Sequence, residues 1–200
     1  MDDQIYSLSK KRVKLPTVLS KEEILSVYNN LNGIKYKTIF LILYGTGLRI
    51  SEALSLRIQD IDSKRMIIIV KDGKGAKDRC VMLSDKVLFS LREYYKYLKI
   101  KPKSYLFFTT DIDKPMLPRW IQHSISLAGK NAGIKKAVTP HVLRHSFATH
   151  LLEDKVDIRR IQLLMGHKSL RTTAIYLNLN ANYINETKSP LDTFEIGGEK

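Results

Sequence analysis

The sequence predicts a mainly α-helical domain with a small antiparallel β-sheet at one edge. Three observations carry this. Helix-capping residues recur ahead of stretches with helical apolar spacing, at Ser20, Thr139, Asp157 and Ser169. One interval, Arg65–Leu83, instead holds two strand-like runs either side of a turn. The chain has 200 residues, 44% hydrophobic and 27% charged, which is the composition of one globular domain with a real core.

The elements follow in order. Residues 1–19 read as a basic arm, with Lys10, Lys11, Arg12 and Lys14 ahead of Pro16 and few apolar anchors. Ser20 and Glu23 form a capping box, so a helix starts there and runs to about Leu31. A more apolar helix covers Lys35–Tyr44, with Gly45 and Gly47 expected to break it, and a short helix follows at Leu48–Leu54. Arg65–Val70 and Asp78–Leu83 pair as a hairpin with a basic, glycine-containing tip at Lys71–Lys77. Helix returns at about Ser84–Leu98, then a short strand at Tyr105–Phe108 and a helix from Pro118 to about Asn131. Thr139-Pro140 opens a helix that runs to about Glu153, with Thr as cap and Pro in the first turn. Asp157 caps another helix, ended near Gly166, and Ser169 caps a last one expected to carry Tyr176. The domain therefore spans 20–180, followed by a tail at 181–200.

The longest apolar runs, Ile39–Tyr44 and Met66–Val70, are far short of the roughly 20 residues of a membrane span. The acidic start Met1-Asp2-Asp3-Gln4 has no apolar stretch behind it, so no secretory signal is readable. One cysteine, Cys80, excludes an internal disulfide framework and a cysteine-based zinc site. A cytoplasmic location is expected, with no membrane partner. Net charge is +14, and because 181–200 carries −2, residues 1–180 hold +16. So large an excess favours a polyanionic partner, with nucleic acid the leading candidate.

A phosphodiester repels nucleophiles, and its negative charge must be countered in the transition state; arginine's planar fork does this best. His141 and Arg144 are three apart on one predicted helix and point the same way. Arg49 follows the Gly45-Thr46-Gly47 break at a helix start, where backbone N–H groups favour an anion. Lys74 sits between Gly73 and Gly75 at the hairpin tip, and His167 follows the helix end at Gly166, nine residues before Tyr176. Two arginines, two histidines, a lysine and a tyrosine make a metal-free phosphoryl-transfer set, in which cationic neighbours assist a tyrosine whose free pKa is about 10.

Plainer readings stand beside this. Arg49 and Glu52 also make an ordinary i,i+3 pair, and His141, His145 and His150 also make a partly buried polar face. His141 and His145 have the i,i+4 spacing of a zinc pair, yet no Glu lies between them as in HExxH. Position 50 is Ile where a dinucleotide loop needs its third glycine, and Lys74 is followed by Gly75 rather than the Ser or Thr of a Walker A loop. Asp-Ile-Asp at 60–62 and 111–113 is short enough to be two solvated turns rather than a metal nuclease site. No metal or cofactor is expected.

The order of these pieces resembles the tyrosine recombinase (phage integrase) family. Gly45–Glu52 looks like its first arginine motif and Asp72–Arg79 like its hairpin lysine motif. Thr139–Thr149, with His141-Val142-Leu143-Arg144, closely matches its His-x-x-Arg box, and Leu164–His167 and Thr172–Tyr176 resemble its closing histidine and nucleophile motifs. The similarity runs from about Leu15 to Leu179. It implies the catalytic-domain fold and a site-specific recombinase that cuts and rejoins double-stranded DNA through a 3′-phosphotyrosyl link, without metal or ATP. By resemblance, Arg49 and Arg144 grip the non-bridging oxygens, His141 assists proton transfer from the tyrosine and His167 hydrogen-bonds the phosphate. Lys74 protonates the leaving 5′-oxygen and Tyr176 is the nucleophile. The family also implies a homo-tetramer on paired DNA sites for a full-length enzyme, a tail that docks on a neighbouring protomer, and a monomer for this chain by itself. Members usually carry a helical core-binding domain before the catalytic one. None is seen here and Lys10–Glu23 resembles the linker into the catalytic domain, so a truncated, bacterial or mobile-element enzyme is expected. A DNA-binding module without catalysis and a type IB topoisomerase are the competing readings.

Overall fold

The computed structural model describes residues 16–71, 78–167, 169–174 and 176. Among these described residues, eight helices and three strands follow in the order α1 (Lys21–Asn29), α2 (Ile34–Thr46), α3 (Ile50–Leu54), β1 (Ile61–Asp62), β2 (Ile67–Val70), β3 (Arg79–Met82), α4 (Asp85–Tyr97), α5 (Pro118–Asn131), α6 (Pro140–Glu153), α7 (Ile158–Met165) and α8 (Leu170–Ala174), with one 3₁₀ turn at Ile58–Asp60. The expected class, mainly α with a small antiparallel sheet, is the observed one. The arm at 1–15, the hairpin tip with Lys74, and the tail from 177 lie outside the described residues.

The caps act as the sequence suggested. Ser20 Oγ accepts from the Glu23 amide and the Glu23 carboxylate accepts from the Ser20 amide. Thr139 Oγ1 accepts from Val142 N and Asp157 Oδ1 from Arg159 N and Arg160 N, so α6 and α7 begin where predicted. The apolar helix α2 is the axle of the domain: Ile39, Phe40, Ile42 and Leu43 are fully buried, and it packs on α3, α4, α5 and α6. A smaller cluster of Phe147, Ala148, Leu152, Ile161, Met165 and Tyr176 closes one end. The sheet runs β1-β2-β3, antiparallel throughout, with Ile67 opposite Met82 and Val70 opposite Arg79. Buried Ile68 and Val70 face the core, and β3 packs against α7.

Four expectations need correction. Gly45 does not break α2, which continues through Thr46 and ends at Gly47 in the left-handed conformation, φ 65°. The next helix starts at Ile50 rather than Leu48, because Arg49 is extended and serves as its N-cap. Tyr105–Phe108 forms no strand: Leu106 N donates to Leu56 O, and Phe107 O accepts from Met116 N, but neither contact extends into a ladder. Tyr176 lies in a turn just beyond α8, its amide donating to Thr173 O at 3.1 Å, rather than on the helix. The two-residue strand β1 falls within 60–62, where a solvated turn was expected, and pairs Ile61 with Ile68 and Asp62 with Ile67.

Candidate active site

The site is assembled where the ends of α2 and α7 meet the starts of α3 and α6. Gly47 ends α2 in a conformation that frees its carbonyl, and a Cβ there would meet the Phe147 ring at 2.3 Å. Arg49 comes two residues later, its side chain 42% exposed, with one N–H donated to Glu52 Oε1 at 2.8 Å. Glu52 also accepts the Arg49 amide at 2.7 Å and a bidentate pair from Arg79 of β3, at 3.0 and 2.7 Å. Arg79 donates its Nε–H to Leu164 O near the end of α7. One carboxylate therefore links the helix that follows Arg49, the strand that leaves the hairpin, and the end of α7. Burial pushes the Glu52 carboxyl up, but the hydrogen bonds from Arg79 and Arg49 outweigh it and hold the group below its ordinary range.

Arg144 lies in α6, buried, and donates to the carbonyls of Gly47, the C-cap of α2, and Met165, the last residue of α7. These bonds use two of the guanidinium's five N–H groups and leave others free to meet an anion. Burial first, and the charge of Arg49 second, lower its pKa to about 10, so it is cationic at neutral pH. Gly166 ends α7 with φ 61°, and its missing Cβ leaves room for the Arg79 guanidinium, which an added Cβ would meet at 2.9 Å. His167 follows. Its Nδ1 is 2.9 Å from Thr173 Oγ1 and its carbonyl accepts from Gln162 Nε2. Burial, then the charges of Arg144 and Arg49, lower its pKa to about 4, so its imidazole is neutral at pH 7.

Tyr176 is buried, its ring nearly parallel to that of His167, 14° apart with centroids at 6.5 Å. Its hydroxyl lies 3.0 Å from Nδ1 of His145. Burial raises the phenol's pKa and the charge of Arg144 only partly opposes this, so the group is protonated at rest. His145 is pushed the other way, below the ordinary histidine range, by burial and then by His141 and Arg144.

Of the six residues singled out from the sequence, Arg49, Arg144, His167 and Tyr176 gather at one site. His141 sits exposed in the first turn of α6, and Lys74 lies outside the described residues. The i,i+3 pair of Arg49 and Glu52 read from the sequence is present, but three contacts were missed: His145 meets the tyrosine hydroxyl, Glu52 also binds Arg79, and Arg79 ties β3 to α7. The i,i+4 spacing of His141 and His145 was visible, but the partner 31 residues away was not. His150, the third member of the suspected polar face, pairs with Tyr44 Oη at 2.9 Å. Of the two Asp-Ile-Asp segments, 111–113 is a turn in which Asp111 accepts from the Asp113 amide, but 60–62 is not: Asp60 ends the 3₁₀ turn, buried, accepting from the Arg57 amide and paired with Lys71, and Ile61–Asp62 is β1. No group of three metal-ligating side chains occurs among the described residues, and none of their helices is long and apolar enough to cross a membrane. Three arginines and one carboxylate near a buried tyrosine hydroxyl make a cationic cluster suited to a phosphate diester.

Comparison with known proteins agrees with this architecture. Residues 17–183 match the phage integrase family. The tyrosine recombinase XerA of Pyrococcus horikoshii is 36% identical over 204 residues, covering 99% of this chain and 70% of that protein. The tyrosine recombinase XerD of Staphylococcus aureus is 36% identical over 180 residues, covering 86% and 61%. The crystal structure of a XerA recombinase superposes with a TM-score of 0.78 at 37% identity, over 86% of this chain and 64% of that one. XerH site-specific recombinase, in a post-cleavage complex with its palindromic difH substrate, gives 0.73 at 29% identity, over 90% and 54%. Among the curated relatives, the share of length that this chain spans runs from 59% to 75%. With the arginine, histidine and tyrosine motifs in family order and the fold in agreement, the chain belongs to the phage integrase family and corresponds to its tyrosine recombinase catalytic domain.

Proposed function

We propose that this domain cuts and rejoins duplex DNA at specific sites, using Tyr176 to form a 3′-phosphotyrosyl link without metal or ATP. The observation that carries the reading is the convergence of a buried tyrosine hydroxyl with Arg144, Arg49 and His167, which come from three separate parts of the sequence. In this scheme Arg49 and Arg144 neutralise the non-bridging oxygens as charge builds on the phosphate. His167, neutral and hydrogen-bonded to Thr173, donates a further bond to the phosphate. Tyr176 attacks phosphorus as His141 assists removal of its phenolic proton, the bond to the 5′-oxygen breaks, and Lys74 protonates that oxygen. A 5′-hydroxyl from a partner duplex then attacks the phosphotyrosyl phosphorus and releases the tyrosine, so the bond energy is conserved. The excess of +16 over residues 1–180 supplies sequence-independent attraction to the backbone, which weakens as salt rises. A tetramer on paired DNA sites belongs to the same proposal for the whole enzyme, as does a location in the cytoplasm.

The experiment is covalent capture. A pool of nicked duplexes of randomised sequence is incubated with the chain in EDTA, and denaturant-resistant complexes are recovered and sequenced. Enriched sequences from the wild type, with none from Tyr176→Phe, are the expected result. Equal capture by the phenylalanine variant, or a strict need for a divalent metal, would overturn the reading.

A further inference from the structure

Arg79 is the one arginine of the cationic cluster with no part in the chemistry proposed above. It opens β3, opposite Val70, and its side chain is 12% exposed. Three of its five N–H groups are engaged. Nη1 and Nη2 donate to the two oxygens of Glu52 at 3.0 and 2.7 Å, and Nε donates to Leu164 O at 3.3 Å. A guanidinium held on two sides and mostly covered acts as a joint, not as a ligand to DNA.

Both partners of the joint lead to a phosphate ligand. Glu52 holds Arg49 by its amide at 2.7 Å and by its guanidinium at 2.8 Å. Leu164 lies three residues before His167, in the last turn of α7. The backbone between them closes over the same guanidinium: a Cβ on Gly166 would meet Arg79 Cζ and Nε at 2.9 Å. Arg144 donates to Met165 O, so the end of α7 is held from α6 as well as from β3.

We propose that Arg79 is a positioning residue for strand transfer, setting the spacing of Arg49 and His167 so that both meet one phosphate. This rests on the strand-transfer reading above. The task needs an arginine. Its planar fork takes a carboxylate in plane while Nε–H takes a carbonyl on the adjacent edge, and both angles are fixed by one rigid group. Lysine is a point charge on a flexible stem, so it can pair with Glu52 without fixing Leu164 at the same time. The effect is therefore one of geometry, and it is lost even when the positive charge is kept.

Two measurements on the full 200-residue chain test the assignment. The first is single-turnover capture at saturating protein, on a duplex recovered from the randomised pool. Arg79→Lys keeps an ion pair with Glu52 and so the fold; Arg79→Gln removes the charge. Both should slow adduct formation about 10-fold or more, since misplacing a transition-state ligand is costly, with DNA affinity by fluorescence anisotropy changed less than about 3-fold. A lysine variant as fast as wild type would make Arg79 a mere charge and overturn the proposal. A loss confined to affinity would do the same. In an Arg49→Ala background the cost of Arg79→Lys should shrink to about 3-fold, because one of the two groups it places is gone; full additivity would overturn the proposal. The second measurement needs no DNA. Nitrogen-15 and proton resonances of the His167 ring should move in Arg79→Lys and stay in place in Arg92→Lys, which alters an exposed arginine of α4. Unmoved His167 resonances in Arg79→Lys would overturn the proposal. Failure of the wild type to capture DNA would count against strand transfer, whereas the resonances report on Arg79 alone, so the two readings fail separately.

Discussion

Gly45 and Gly47 flank one threonine, yet replacing each with alanine should have sharply different results. Gly47 ends α2 at φ 65°, where an L-residue costs about 1–2 kcal/mol. The added Cβ would also meet Phe147 Cδ1 at 2.3 Å and Met165 Sδ at 3.1 Å, both in the buried cluster beside the site. Overpacking of this kind costs about 1–3 kcal/mol, so Gly47→Ala should lose about 2–5 kcal/mol. Gly45 lies inside α2, where alanine is favoured by about 1 kcal/mol. Its one close contact, Val87 Cγ2 at 3.1 Å, needs a shift of a few tenths of an ångström. The net effect of Gly45→Ala should stay within about 1 kcal/mol of zero. Urea denaturation followed by circular dichroism separates the two: at a slope of about 2 kcal/mol per molar, the Gly47→Ala midpoint should fall by about 1–2.5 M. Because Arg144 donates to Gly47 O, DNA capture should fall with it. Equal midpoints for the two variants would refute both the position of the helix end and the packing argument.

Arg49→Ala and Arg144→Ala should each slow covalent capture by about 10²-fold or more, each removing a charged donor from the transition state; single-turnover assays read this directly. Arg79→Ala should cost about 1.5–3 kcal/mol in urea denaturation, because it removes the bidentate partner of Glu52, which is only 11% exposed and keeps just the bonds from Arg49. An unaltered midpoint would mean that the Arg79–Glu52 pair contributes nothing. Thermal stability should fall as pH drops from about 6.5 towards 4. The folded pKa of His167, about 4, lies below its unfolded value, so the unfolded chain binds more protons in that window. The lowered pKa of Glu52 acts in the same direction below about pH 4.5, where its contribution is lost as the carboxylate is protonated. His167→Asn should flatten the melting curve against pH between 6.5 and 4, and a slope identical to wild type would show that His167 does not titrate as the site implies.

Local chemistry was the legible part of the sequence. Ser20 with Glu23, Thr139 with Pro140, and Asp157 are caps whose partners lie within three residues, so α1, α6 and α7 could be bounded from the chain itself. The four catalytic candidates that gather at the site were legible for another reason: each sat at a helix start, on a helix face or just past a helix end, and their family order was distinctive. What failed depended on distant partners. Gly45 and Gly47 look alike as helix breakers, and only the packing of Phe147 tells them apart. Leu106-Phe107-Phe108 has strand composition, but its burial comes from the core rather than from a ladder. β1 is two residues long and leaves no periodic trace. His145 and Arg79 carry contacts that close over 31 and 85 residues, and no spacing rule reaches that far.

The central claim is that Tyr176 is the nucleophile, and the most direct measurement is the position and chemistry of the DNA adduct. Protein captured on a nicked duplex is digested with protease and nuclease, and the nucleotide-bearing peptide is sequenced by mass spectrometry. The account predicts a nucleotide joined through its 3′-phosphate to Tyr176, with a free 5′-hydroxyl on the other side of the cut. An adduct on any other residue, or a 5′-phosphate linkage, would contradict it.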